Sequence, residues 1–281
     1  MVLRARLREP VHFPDLSERR ALKLAAVVHY TSRAHFGLWH RRVGGPDFHQ
    51  FTGVFTPLFF VDVEVTDVPL DPMIPLSVRG ETFLAKTLTS SGEVDHIVRE
   101  GDHRVLARAD ASSEVPVARA RLINVFTRYD PDPARRRVTT LPPSLGLGEM
   151  PSRVVELPTI DSMAPLGRRP DFAESGTRVW HYGQTDANRH VNGMEYLRSM
   201  EDYVADVLQH AGHDLGRLFF KRARILYRKP CFRGEGYRQV AWFRGEAPLV
   251  ITGAFYKAGD STTGRAAVVV ELTLSQHETA E

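Results

Sequence analysis

This chain predicts a two-domain α+β protein, each half a long helix accompanied by a run of antiparallel strands. Three observations point to it. The 281 residues are too many for one small domain and suit two of roughly 100–150 residues each. The order extended segment, amphipathic helix, alternating strands occurs twice. Between the occurrences, 131–172 is rich in proline and glycine, carries Arg135, Arg136 and Arg137, and has no sustained periodicity, so it reads as a linker. The expected division is therefore 1–130, a linker over 131–172, and 173–281.

In the first half, Leu3 to Arg8 alternates apolar and basic residues, as a half-buried strand does. Asp15-Leu-Ser-Glu18 has the form of a helix N-terminus, and Leu22, Ala25, Ala26, Val27 and Val28 then crowd one side. That predicts a helix from Asp15 to about His35 or Trp39. Strands follow at Phe59–Val65, Leu76–Phe83, Val105–Ala109 and Val117–Phe126, with turns expected at Gly92 and at Gly101-Asp102.

The second half opens on an extended Thr177–Tyr182. A helix from Gly193 to His210 carries Met194, Leu197, Met200, Val204, Val207 and Leu208 on one stripe, and Gly212 stands where a C-terminal cap would. Four further strands are expected at Arg222–Arg228, Tyr237–Arg244, Val250–Tyr256 and Ala266–Leu274. The two halves share element order without visible residue identity.

Composition narrows the function classes. A single cysteine, Cys231, excludes an internal disulfide, and no Cys or His spacing reproduces a metal-ligand set, so neither metal nor cofactor is expected. The charged opening residues lack the apolar stretch of a secretory signal, and no apolar run approaches a membrane span, which together predict a cytoplasmic protein. A net charge of +3 gives little reason to expect a nucleic-acid partner. Serine-hydrolase elbows, phosphate-binding loops and dinucleotide fingerprints are absent from the sequence.

The most informative segment is Thr185–Tyr196. Asp186, Asn188 and His190 are spaced by two, so in an extended conformation their side chains leave one face. They stand just before a helix N-terminus, where backbone N–H groups and the helix dipole stabilise a developing oxyanion. Carboxylate, amide and imidazole together suit acyl chemistry. The same residue types also serve as caps and turn formers, and Asn192 with Glu195 forms a plausible capping box. Cys231 reads as packed apolar material. Arg222, Arg224, Arg228, Lys229 and Arg233 form a basic cluster, read either as a solvated strand edge or as a contact for phosphates or an acidic helix.

The run Asp186-x-Asn188-x-His190-Val191-Asn192-x-x-x-Tyr196 resembles the DxNxHVNNxxY signature of hotdog-fold acyl-thioester hydrolases. It is most similar to the acyl-ACP thioesterases, which fuse two hotdog domains in one chain. Ile225-Leu-Tyr-Arg-Lys-Pro-Cys231 is similar to that family's strand after the helix. The resemblance implies a tandem hotdog, each half an antiparallel sheet wrapped around a long central helix. It implies catalysis by Asp186, Asn188 and His190, with substrate contacts from Val191, Asn192, Tyr196 and Arg228, and a carbonyl held by Asn188 and the amides around Val191 and Asn192. Two positions depart from the pattern. Gly193 replaces the second Asn, and Pro230 stands where the family places an acidic residue, a role that Glu195 or Glu235 could take.

The expected activity is hydrolysis of an acyl-carrier-protein or coenzyme A thioester within fatty acid and lipid metabolism, by a monomer or homodimer. The alternatives are acyl transfer or dehydration on a carrier-bound intermediate, or a non-catalytic acyl or carrier binding module.

Overall fold

The computed structural model describes residues 2–43, 45, 48–108, 113–141, 143–145, 147, 150–165, 167–186, 189–246, 248–262 and 264–276. The first half of the chain contains β1 (Val2–Glu9), α1 (Leu24–Val43), the short α2 (Phe48–Thr52), β2 (Val54–Phe55), β3 (Leu58–Val65), β4 (Leu76–Leu88), β5 (Val94–Arg108), β6 (Glu114–Val125) and β7 (Thr127–Arg128). The second contains α3 (Ile160–Met163), β8 (Phe172–Ala173), β9 (Arg178–Val179), α4 (Gly193–His210), β10 (Leu218–Tyr227), β11 (Gly236–Glu246), β12 (Leu249–Lys257) and β13 (Val268–Gln276).

Two compact units form. One comprises Met1–Pro14, Val27–Val61 and Leu70–Leu157; the other comprises Asp15–Ala26, Asp62–Pro69 and Pro158–Glu281. In the first, the strands lie in the order β1, β4, β5, β6, β3. Their hairpins are antiparallel, with Thr82 opposite Gly101 and Gly101 opposite Leu122. In the second unit the order is β10, β13, β12, β11, β8, with β9 also pairing β11.

Three expectations need correction. The first long helix begins at Leu24 rather than Asp15. Leu16 bridges Leu22, the Ser17 N–H donates to Ala21 O at 2.8 Å, and Arg20 holds a φ of 65° that no helix accommodates. The acidic cap signal is thus used by a closed turn and a 3₁₀ turn at Phe13–Asp15. Gly101-Asp102 is no turn but the middle of β5. A Cβ on Gly101 would lie 2.3 Å from His35 Nδ1 and 2.6 Å from His103 Nε2, so the glycine admits two imidazoles to the sheet face. The extended segment at Thr177–Tyr182 shrinks to β9, followed by a 3₁₀ turn at Tyr182–Gln184.

The proline-rich stretch is packed. Val138, Leu145 and Leu147 join Trp39, Val54, Ile97 and Phe126 in one buried cluster. Burying each such aliphatic side chain contributes about 1.5–3 kcal/mol. The Ile97 N–H donates to Val138 O at 3.1 Å and the Val155 N–H to Lys86 O at 2.9 Å, so this segment also pairs with strand backbone.

In the second unit α4 buries Leu197, Met200, Val204, Val207 and Leu208, the stripe that helical spacing predicts, while Met194 is half-buried. Met200 lies over Gly253 of β12, where a Cβ would come within 2.1 Å of its Sδ. The helix stops as expected. Gly212 adopts a φ of 85°, and the His213 N–H closes on Leu208 O at 3.0 Å. No helix among the described residues is long and apolar enough to cross a membrane.

Candidate active site

The site begins with a turn that is tight rather than extended. After the 3₁₀ turn at Tyr182–Gln184, Thr185 bridges Val191, and the Asp186 N–H donates to His190 O at 2.9 Å. Arg189 takes a left-handed φ of 65°. The expectation that Asp186, Asn188 and His190 leave one face of an extended strand is therefore corrected. Asp186 and His190 face each other across the base of a closed loop, and Asp186 Oδ1 accepts the His190 backbone N–H at 3.3 Å. Asn188 lies outside the described residues.

The loop is clamped to the start of the turn after β10. His190 bridges Phe232, the two rings meet edge to face at 5.0 Å, and the Val191 N–H donates to Cys231 O at 2.8 Å. From the other side, the Cys231 N–H donates to the Tyr196 hydroxyl at 3.0 Å, and Tyr227 donates its hydroxyl to Gly193 O at 3.0 Å. Trp180 stacks on Tyr237 at 4.0 Å and meets Tyr196 at 5.0 Å. Aromatic packing thus fixes the first turn of α4 against its sheet. Spacing alone did not single out Trp180, Phe232 or Tyr227, because their roles depend on contacts between distant strands.

Asn192 is the N-cap of α4, accepting the Met194 N–H at 3.1 Å. The second half of the expected capping box is not formed by Glu195, whose carboxylate takes Arg198 Nη1 at 2.6 Å. The amides expected to hold a carbonyl are engaged elsewhere. Val191 donates to Cys231, and the Asn192 N–H donates to Gln184 O at 2.8 Å. The Glu195 N–H reaches Asn192 O at 2.9 Å, leaving Gly193 as the first-turn amide without a partner among the described residues.

Of the seven residues that the sequence singles out, His190, Val191 and Tyr196 meet Cys231 and Phe232, Asp186 joins them through His190, and Asn192 bonds Gln184 and caps α4. Arg228 does not join them. Its guanidinium donates to Ala266 O at 2.7 Å and Arg265 O at 2.6 Å. The rest of the basic cluster is also largely engaged: Arg222 forks onto Asp62 at 2.8 and 2.6 Å, and Arg224 meets Glu271 at 3.0 Å. Cys231 is 1% exposed, and burial pushes its thiol up, so it stays protonated packing material. Of the two acidic substitutes for Pro230, Glu235 accepts the Phe232 N–H at 2.9 Å and is gripped by Lys257 Nζ at 2.9 and 3.1 Å. It sits one residue contact from His190, whereas Glu195 turns to Arg198.

A groove of about 440 Å³ runs beside the first turns of α4, lined by His181, Gln184, Glu195, Arg198, Ser199 and Tyr237 among others. Its polar walls suit a hydrogen-bonding arm rather than an alkyl chain. Among the described residues, no group of three or more His, Cys, Asp or Glu is placed to hold a metal ion.

No family model matches the chain, and no curated protein sequence does. Solved structures do resemble it. A protein from Lactobacillus plantarum assigned as an oleoyl thioesterase shares 13% identity over 98% of this chain and 96% of its own, with a TM-score of 0.69. An acyl-ACP thioesterase from Bacteroides thetaiotaomicron shares 12% identity over 97% and 98%, with a TM-score of 0.67. The 12:0-ACP thioesterase from Umbellularia californica shares 15% identity over 98% of each chain, with a TM-score of 0.65. The fold these structures share with this chain is the hotdog fold.

Proposed function

We propose that the protein hydrolyses an acyl thioester, carried on an acyl carrier protein or coenzyme A, to the free acid. The observation that carries this reading is the closed loop that sets Asp186 and His190 immediately ahead of the α4 N-terminus. The likeness to thioesterase structures supports it at the level of fold.

In this reading the thioester carbonyl lies before the first turn of α4. The Gly193 N–H and the helix dipole stabilise the oxygen as negative charge develops on it. Asp186 takes a proton from the attacking water, His190 returns a proton to the departing thiolate, and Asn188 orients the water or the carbonyl. Val191, Asn192 and Tyr196 act by holding the loop and the helix start in register. The reaction belongs to cytoplasmic fatty acid metabolism, and a monomer or homodimer can perform it.

The chain further reads as two hotdog copies, divided near the proline-rich stretch. Two features support this. The strand order β1, β4, β5, β6, β3 has its counterpart in β9, β11, β12, β13, β10. The pre-helix loop also recurs: Ser17 to Ala21 and Asp186 to His190 make the same backbone bond, at 2.8 and 2.9 Å, each around an arginine with a φ of 65°. The counterparts of Asp186 and His190 are thus Ser17 and Ala21, so only the second loop carries ionisable side chains at both positions.

The test is a panel of acyl-carrier-protein and acyl-coenzyme A thioesters, with products identified by mass spectrometry. Free acid is the expected product. Asp186→Asn and His190→Ala should each lower kcat by at least about 100-fold with circular dichroism unchanged. Wild-type turnover in both variants, or a conjugate in place of free acid, contradicts the reading.

A further inference from the structure

A second group of polar side chains lies inside the first unit, between α1 and the sheet, and the proposed chemistry does not use it. His35, Thr82, Arg99, His103 and Asn124 are all 2% exposed or less. Two glycines make room for the rings: a Cβ on Gly80 would fall 2.0 Å from His103 Nδ1, and one on Gly101 would fall 2.3 Å from His35 Nδ1. The Arg99 guanidinium lies over two aromatic rings of α1, its carbon 4.8 Å from the Phe36 ring centre and 4.9 Å from that of Trp39.

Hydrogen-bond accounting in this group does not close. Arg99 Nε and Asn124 Oδ1 both address His35 Nε2, at 3.0 and 2.8 Å. His35 Nδ1 meets Thr82 Oγ1 at 3.0 Å and His103 Nε2 at 3.3 Å, and the Asn124 amide donates to Thr56 O at 2.8 Å. Whichever nitrogen of His35 carries the proton, Arg99 Nη1 and Nη2 have no acceptor among the described residues. No carboxylate among these partners balances the charge. Glu100, the acidic neighbour in sequence, alternates to the opposite face of β5 and pairs there with Arg121 and Arg153. Burial, then Arg99, lowers both imidazoles, so they stay neutral and bring no charge that would balance the guanidinium.

Among the described residues the unpartnered atoms of this group are His103 Nδ1 and the two terminal nitrogens of Arg99, and those two nitrogens form the end-on fork that accepts a planar two-oxygen anion. We propose that the first unit contains a buried carboxylate-binding site, with Arg99 Nη1 and Nη2 as the fork. The carboxylate could belong to a free acid or to the far end of a bound acyl chain. The site stands apart from the thioesterase reading, and only the acyl-chain source rests on it.

The experiment uses the full chain at fixed ionic strength, with melting temperature followed against acetate, octanoate and octanedioate, and chloride as the matched control. A saturable rise with acetate or octanoate indicates a free acid. A rise confined to octanedioate, with a KM for its mono-thioester lower than for the octanoyl thioester, indicates the distal carboxyl. In either case Arg99→Met should weaken the effect by at least about tenfold. If Arg99→Met does not fold, side-chain nitrogen NMR of the wild type decides, since the ligand should shift the Arg99 Nη resonances. No rise above chloride and unmoved Nη resonances would overturn the proposal, as would an equal rise in Arg99→Met. Loss of hydrolysis in Asp186→Asn with carboxylate binding intact separates this site from the reaction.

Discussion

An imidazole that cannot easily take a proton makes stability depend on pH. Burial, then Arg99, holds His103 down to about 4, against an ordinary value of 6.5. Between those values the unfolded chain binds a proton that the folded chain excludes. The contribution is therefore full above pH 6.5 and declines as pH falls towards 4. His35, buried beside the same guanidinium and lowered first by burial, acts in the same direction. Urea midpoints measured from pH 7.5 to 4.5 should fall on the acid side, and His103→Gln should flatten that slope. A wild-type midpoint that stays level down to pH 4.5 would contradict this account of the pair.

Each unit admits close approach through a glycine, but the two approaches differ in how much they can yield. On β5 a Cβ at Gly101 meets the rigid rings of His35 and His103 at 2.3 and 2.6 Å. On β12 a Cβ at Gly253 meets the end of Met200, whose thioether can swing aside. Gly101→Ala should thus lose about 1–3 kcal/mol of unfolding free energy, and Gly253→Ala clearly less. Chemical denaturation of the two variants makes the comparison, and equal losses would refute it. This contrast also marks what could be read in advance. The stripe of α4 was legible because 3.6-residue spacing reports burial directly. Gly101-Asp102 was misread as a turn because glycine signals both reversal and close approach, and only the partner across the space tells them apart. The helix start misled for a related reason: Asp15 and Glu18 have the form of a cap, yet Arg20 at positive φ breaks the path.

Across the whole chain, the candidate chemistry was legible from one short segment, while its supports were not. Asp186 and His190 announce themselves by type and spacing, but their juxtaposition comes from a closed turn rather than from extended backbone. Cys231, Phe232 and Tyr227 reach the site through long-range pairing that no local pattern encodes. The basic cluster misled in the opposite sense, since Asp62 and Glu271 neutralise Arg222 and Arg224 from distant strands. The recurrence of the pre-helix loop has a practical consequence as well. Ser17 and Asp186 carry equivalent amides, bonded at 2.8 and 2.9 Å to Ala21 and His190. Hydrogen exchange at the first amide therefore provides a reference inside the same molecule for the second. A thioester analogue seated ahead of α4 should slow exchange at Asp186 by about tenfold or more while leaving Ser17 unchanged. Parallel slowing at both amides would instead report a general tightening of the chain.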